Sequence, residues 1–397
     1  MLPMLLLHPA SLFSKMMGSF RNPVASTNLS VTATPDRPAH PFRHNWYLMP
    51  QAGTGAVGEI ERRMSNCSRV MSFSPGPHGY GSVLHQWAAQ LCYALQQNAS
   101  LQTGGFRVRA SPDSFDTWNG FGTPICSDPT APPLACFYTE RSSPCSPRIG
   151  HAQAGTVVPS LKPSAPTSRG EITLKSGDGT LRQYKDWAGC ADWSHRDGLP
   201  FFALAFRWLF SSLSPRLVNY ARQKATDVFG PTGVPAHLVT VHVRWGDKAR
   251  DGITLQPISR YVDAVAELTS THLPNVPPQD ISVYITTEDM AAVRAFRHEV
   301  RNRGWKVYVY EPAVIQDSKV SPGPNGSREI HALSPKATVD AAKEPGWGGV
   351  HSLVTLMMAL EAKLFVVTGV GMSSSNWGRL IDELRMAFVE DSFVIRI

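Results

Sequence analysis

Apolar and polar positions change rhythm along this chain. Through residues 1–55, Pro, Ser, Thr and Asn interrupt the apolar residues without a period, which predicts a leader or stalk with little order. After the glycine-rich turn Pro75-Gly-Pro-His-Gly-Tyr-Gly-Ser82, Leu84, Trp87, Ala88, Leu91, Cys92 and Leu95 recur at helical spacing. Gly104–Arg109 reads as a short strand, and Phe115 and Trp118 continue an apolar segment. From Ser127 to about Thr180 the chain is rich in Pro, Ser and Gly, and the default expectation is disorder unless Cys136 and Cys145 staple part of it. Helical spacing returns at Leu199, with Phe202, Ala205, Phe206, Leu209 and Phe210 on one face. Pro215 suits the first turn of a second helix carrying Leu217, Val218, Ala221 and Ala225 and ending near Gly230.

Beyond Pro235 the two periods alternate. The β-branched run 239–243 predicts a strand and leads to a helix at Pro257–Leu268. Strand 281–285 precedes helix 290–302, and strand 306–310 precedes a Pro/Gly/Ser-rich loop at about 314–345. Helix 349–361, strand 364–368 and a helix from Ser373 to Met386 complete the series. Strands alternating with helices imply a parallel, Rossmann-like sheet. The expected organisation is a leader at 1–55, an N-terminal lobe at 56–235 with its insertion at 127–180, and a Rossmann-like lobe at 236–397.

Composition narrows the partners. The 397 residues carry a net charge of +7, which suits an anionic ligand. The Lys and Arg residues are scattered without a block, so no nucleic-acid partner is expected. The cysteines Cys67, Cys92, Cys126, Cys136, Cys145 and Cys190 form no C-x-x-C pair, which speaks against zinc. With the sequons at Asn28, Asn66, Asn98 and Asn325, they tilt the reading towards a secretory compartment. Met1–Leu7 is apolar but shorter than the roughly 20 residues a membrane span takes, so no anchor is evident in this chain.

Candidate chemistry gathers where predicted strands end. Val239-Thr-Val-His-Val-Arg-Trp-Gly-Asp-Lys248 turns from a buried strand to Arg244, Asp247 and Lys248. The next strand ends in Glu288 and Asp289, and the last one leads to Ser373-Ser-Ser375. In a parallel sheet these ends share one rim, where ligands bind. Arginine's planar fork matches phosphate oxygens two at a time. A surface ion pair is the plainer reading of Arg244 and Asp247, as a helix cap is for Ser375 and a satisfied strand histidine for His242. No G-x-x-x-x-G-K-[ST] or G-x-G-x-x-G occurs, which disfavours other phosphate-handling Rossmann enzymes.

Taken in order, several motifs resemble the α-1,6-fucosyltransferase type of glycosyltransferase, with looser similarity to protein O-fucosyltransferases. They are His78-Gly-Tyr-Gly-Ser-Val-Leu-His85, His242-Val-Arg-Trp-Gly-Asp-Lys248, Tyr284-Ile-Thr-Thr-Glu-Asp289, Gly349-Val350 and Ser374-Ser-Asn-Trp-Gly-Arg379. The resemblance covers roughly 65–125 and 195–390. It implies a two-lobed GT-B-like α/β fold and inverting transfer of fucose from GDP-fucose to a glycan or glycoprotein, without an obligatory metal or other cofactor, in the Golgi or secretory pathway. By resemblance Arg244 holds the β-phosphate, Ser374 and Ser375 add to the phosphate site, His242 faces the base, and Gly79, Tyr80, Glu288, Asp289 and Thr355 complete the donor site. Asp247, Lys248 and Asp251 join Arg244 as catalytic candidates. The family's Glu four residues after the Lys is Gly252 here, leaving Asp251, Asp247 or the Glu288/Asp289 pair as the base. The family's second Arg is Trp245, and its guanine-binding Asp falls at Thr355. These departures keep a non-catalytic GDP-sugar- or glycan-binding protein, or a protein O-fucosyltransferase, as the alternative. The resemblance also implies a Cys67–Cys126 disulfide.

Overall fold

The computed structural model describes residues 42, 55–73, 80–103, 123–126, 135–138, 145, 156–158, 199–245, 255–314, 319–322, 328–331, 346–368, 376–389 and 392–397. All lie in the compact unit Ala39–Ile397.

A five-stranded sheet organises the C-terminal part. Its strands are β4 (His237–His242), β5 (Ile281–Thr286), β6 (Lys306–Val309), β9 (Leu364–Val367) and β10 (Phe393–Arg396), in the order β10-β9-β4-β5-β6 and all parallel. Read in chain order this is the Rossmann arrangement 3-2-1-4-5. The direction of winding reverses between β4 and β9, so a crevice opens at their carboxyl ends. The α/β class with a parallel sheet, expected from the alternation of periods, is the fold observed.

The strand pattern decides which helices cover which face. Val239, Val241, Val283, Ile285, Leu364 and Val366 pack in one core with α6 (Ile258–His272) and α7 (Met290–Val300). Leu238, Tyr284, Phe365 and Val367 point the other way. They join a larger core with α5 (Pro215–Phe229), α8 (Trp347–Ala359), α9 (Asn376–Phe388), α2 (Tyr80–Gln96) and α4 (Phe201–Phe210). That core runs without interruption from the N-terminal half into the C-terminal half. α4 is apolar at every position but Arg207, because it packs against the helices Gly55–Met64, α2 and α9. Trp87 and Trp208 stack within this core, ring centroids 6.0 Å apart.

The N-terminal part adds helix α1 (Gly55–Met64) and a parallel three-stranded sheet in the order β2-β1-β3. Its strands are β1 (Arg69–Phe73), β2 (Ser100–Thr103) and β3 (Thr156–Val158). The expected strand at 104–109 lies outside the described residues; the observed one precedes it. Described pieces of the 127–180 insertion depart from the expectation of disorder. β3 pairs with β1, and the short helix α3 (Ala135–Tyr138) buries Phe137 and Tyr138 in the core. Within the presumed stalk, Phe42 is buried as well. In the loop expected at about 314–345, β7 (Lys319–Pro322) and β8 (Arg328–His331) pair antiparallel.

The disulfides correct the expected connectivity. Cys67 bonds Cys145 with their Cα atoms 5.5 Å apart, and Cys126 bonds Cys136 with Cα atoms 5.0 Å apart, so no Cys67–Cys126 bridge exists. Cys92 is also disulfide-bonded. Pairing follows spatial proximity, which spacing along the chain does not fix. Cys136 and Cys145 do staple the insertion, each to a cysteine outside it.

Candidate functional site

The crevice between β4 and β9 is built by four elements. His242 ends β4 opposite Val367 of β9. Strand alternation carries His242 and Arg244 to the face of α9, while Trp245 turns into the opposite core and donates its indole N–H to the Gln256 carbonyl at 3.0 Å. Trp245, where the resemblance would place an Arg, is therefore a packing residue.

α9 begins at Asn376 against this strand end. A Cβ placed on Gly378 would sit 2.5 Å from Val367 Cγ2 and 2.9 Å from His242 Cδ2, so the helix can approach this closely only with glycine there. α2 begins beside it. A Cβ on Gly81 would lie 3.0–3.1 Å from backbone atoms of Asn376 and Trp377. Asn376 Nδ2 donates to Ser82 Oγ at 2.6 Å. Two helix N-termini, from opposite halves of the chain, thus meet at the carboxyl end of β4. The first-turn N–H groups of a helix have no intrahelical acceptor, and its dipole favours anions at that end.

A buried network fixes this meeting. His85, one turn into α2, bonds the Gly81 carbonyl through Nδ1 at 2.7 Å and Glu383 Oε2 of α9 through Nε2 at 2.8 Å. Arg379 donates to the other Glu383 oxygen at 2.9 Å, and its guanidinium lies 5.0 Å from the Phe202 ring centroid. Burial alone would raise the Glu383 carboxyl, but His85 and Arg379 outweigh it and hold the group below its ordinary range. His85 lies within a motif of the resemblance, yet only the fold reveals that Glu383, 298 residues on, is its partner.

His242 is buried, at 4% exposure. Its Nδ1 faces the Thr286 carbonyl at 3.1 Å and the Thr286 hydroxyl at 3.0 Å. A carbonyl only accepts, so Nδ1 carries the proton and Nε2 presents a lone pair. That Nε2 is buried without a hydrogen-bond partner. Burial, reinforced by the Arg244 charge, pulls the imidazole down to about 3, against the backbone bond from Thr286. The ring is neutral at physiological pH and offers an unused acceptor to an N–H or O–H donor.

Arg244 is largely buried and forms an ion pair with Glu288 across the ends of β4 and β5. Asp289, fully buried, caps α7 by accepting the Ala291 N–H at 2.9 Å, and so shapes the loop that carries Glu288.

Two expected site residues lie elsewhere. Tyr80 is a core residue whose hydroxyl meets Tyr138 at 2.9 Å, and burial raises its phenol well above the ordinary value. Thr355 is buried on α8 with its hydroxyl 2.7 Å from that of Tyr284, in mid-strand. Gly79, Asp247, Lys248, Asp251, Ser374 and Ser375 lie outside the described residues. Among the described residues, no group of three or more His, Cys, Asp or Glu side chains could hold a metal ion, and no helix is long and apolar enough to cross a membrane.

The convergence gives a guanidinium, two positive helix ends and a neutral acceptor at one rim. No family model matches the chain, and no curated protein matches it. Among solved structures, it is similar to a mutant of Arabidopsis thaliana FUT1 in complex with GDP, at 11% sequence identity and a TM-score of 0.38, over 85% of this chain and 75% of that one.

Proposed function

We propose that this chain is an inverting, GDP-fucose-dependent glycosyltransferase of GT-B-like architecture, acting on a glycan or glycoprotein. The observation that carries the reading is the meeting of the α2 and α9 N-termini at the winding reversal, beside Arg244 and the unused His242 acceptor. Helix N-termini and a guanidinium suit a diphosphate. A diphosphate has no donor for His242 Nε2, whereas a nucleoside has ribose hydroxyls and base N–H groups. Two residues apart on one strand face, His242 and Arg244 stand about 6.6 Å from each other, matching a nucleoside and its distal phosphate. The fucosyl donor and an α-1,6-type linkage come from the ordered motifs in the sequence, with transfer to a protein hydroxyl as the neighbouring possibility.

Glu288 is the candidate base. Bound diphosphate competes with it for Arg244 at the rim. There it takes the proton of an acceptor hydroxyl, whose oxygen attacks the anomeric carbon as the bond to the diphosphate breaks. Negative charge builds on the departing GDP, where Arg244 is placed to stabilise it. The disulfides support a secretory-pathway location.

The test is calorimetric titration with GDP and GDP-fucose, with Arg244→Ala alongside. Micromolar GDP binding that disappears in the variant supports the donor site. A folded wild-type protein that binds neither nucleotide overturns it. GDP binding without turnover on any acceptor favours the non-catalytic reading, for which the supporting observation is that Glu288 already occupies the Arg244 guanidinium proposed to bind phosphate.

A further inference from the structure

A cleft of about 320 Å³ lies at the β6 edge of the sheet, away from the β4/β9 crevice. One wall is the second half of α5, with Lys224, Asp227 and Val228; Arg297 of α7 forms another. The floor follows β6 and its continuation, from Val307 through Tyr308 to Glu311 and Pro312. Val307 and Val309 belong to one core and Tyr308 and Tyr310 to the other, so the cleft wraps the outer edge of the last strand.

The lining constrains what fits. Its charges balance: Lys224 and Arg297 against Asp227 and Glu311. Lys224 is already tied to Asp227 at 2.7 Å. A phosphate would find no net positive charge here. β6 is only four residues long, so an extended peptide would gain little ladder by adding to it. A neutral pyranose matches better. Its ring hydroxyls both donate and accept, which suits an exposed carboxylate and an exposed guanidinium facing one space. Its C–H face suits half-buried Tyr308 and Val228 with exposed Pro312. The volume is that of a small-ligand site.

We propose that this cleft is a saccharide subsite taking a neutral pyranose of the acceptor glycan, a role that rests on the glycosyltransferase reading above. The carboxyl end of β6 shares the rim with β4 and lies two strand spacings away, about 10 Å. That is the length of a disaccharide, so a glycan with its reactive hydroxyl near Arg244 reaches the Glu311–Pro312 end of the cleft, which follows the carboxyl end of β6, with a neighbouring sugar.

The test uses the full chain, with N,N′-diacetylchitobiose, lactose and cellobiose as probes in saturation-transfer NMR and calorimetry. Arg297→Gln and Glu311→Gln alter exposed side chains and leave the cores intact. The expected result is millimolar binding of at least one disaccharide, weakened about tenfold in either variant, as for one lost hydrogen bond to a charged group, with GDP affinity unchanged. Absence of binding by all three probes, or binding indifferent to both substitutions, overturns the subsite. GDP titrated into the same samples separates the two proposals. Saccharide binding that follows the variants without any GDP binding would sink the donor site and leave the cleft, whereas the reverse result sinks the cleft alone.

Discussion

At the residue scale, the site depends on groups whose chemistry is set by what surrounds them. Arg244→Ala is expected to lower transfer by about 10²–10³-fold, the cost of removing one preorganised donor, with the melting temperature within a few degrees of wild type; undiminished turnover refutes its role. Glu288→Gln separates binding from chemistry. Removing the competitor for Arg244 leaves GDP affinity equal or higher, while turnover falls about 10²-fold or more if the carboxylate is the base; wild-type turnover in this variant assigns the base elsewhere. His242 gives a pH signature. Its folded value, about 3, lies below the ordinary 6.5, so the native state binds fewer protons than the unfolded one between those values. Its contribution, about 5 kcal/mol in the limit, is complete above pH 6.5 and is lost as the pH falls towards 3. Replacing His242 by Gln should flatten the fall of denaturant stability across that window, and an unchanged slope would show that the imidazole does not titrate there. His242 and Arg244 were legible in the sequence as a strand end turning polar. The orientation of His242 was not, because it depends on Thr286 from the neighbouring strand.

At the element scale, close approach of helix ends decides the site. Gly378→Ala puts a methyl against Val367 and His242, and Gly81→Ala puts one against the backbone of α9. The second has less room to relax, because backbone gives less readily than a side chain. Each is expected to cost about 1–3 kcal/mol and to weaken GDP at least severalfold by parting the two N-termini. Denaturant titration and calorimetry read the two effects, and unaltered GDP affinity in both variants would remove the helix ends from the site. The periodic elements were legible: the helix from Pro215 and the strands at 239–243 and 281–285 lie within a residue or two of where the spacing put them. β1, β3 and β10 were not, since they are short and take their stability from partners distant in the chain. Tyr80 and Thr355 were read from motifs, but burial and the hydroxyls of Tyr138 and Tyr284 claim them.

At the scale of the whole molecule, one core binds both halves of the chain and disulfides tether the N-terminal part. The Cys67–Cys145 bridge closes a separation of 78 residues, worth about 4 kcal/mol in the chain-entropy account. Replacing the pair by serine should lower the melting temperature by several degrees, whereas the same change under the Cys67–Cys126 connectivity would leave Cys126 unpaired. Peptide mapping under non-reducing conditions distinguishes the two pairings.

The sequence by itself determined the α/β class, the parallel sheet and the polar ends of its strands, because side-chain period and turn residues are local properties. Tertiary structure alone decided the strand order and hence the β4/β9 crevice. It also joined His85 to Glu383, brought two helix N-termini together, placed Glu288 on Arg244 and chose the cysteine partners. Each of these depends on distances between residues far apart in the chain, which the packing of a shared core sets and no local pattern encodes.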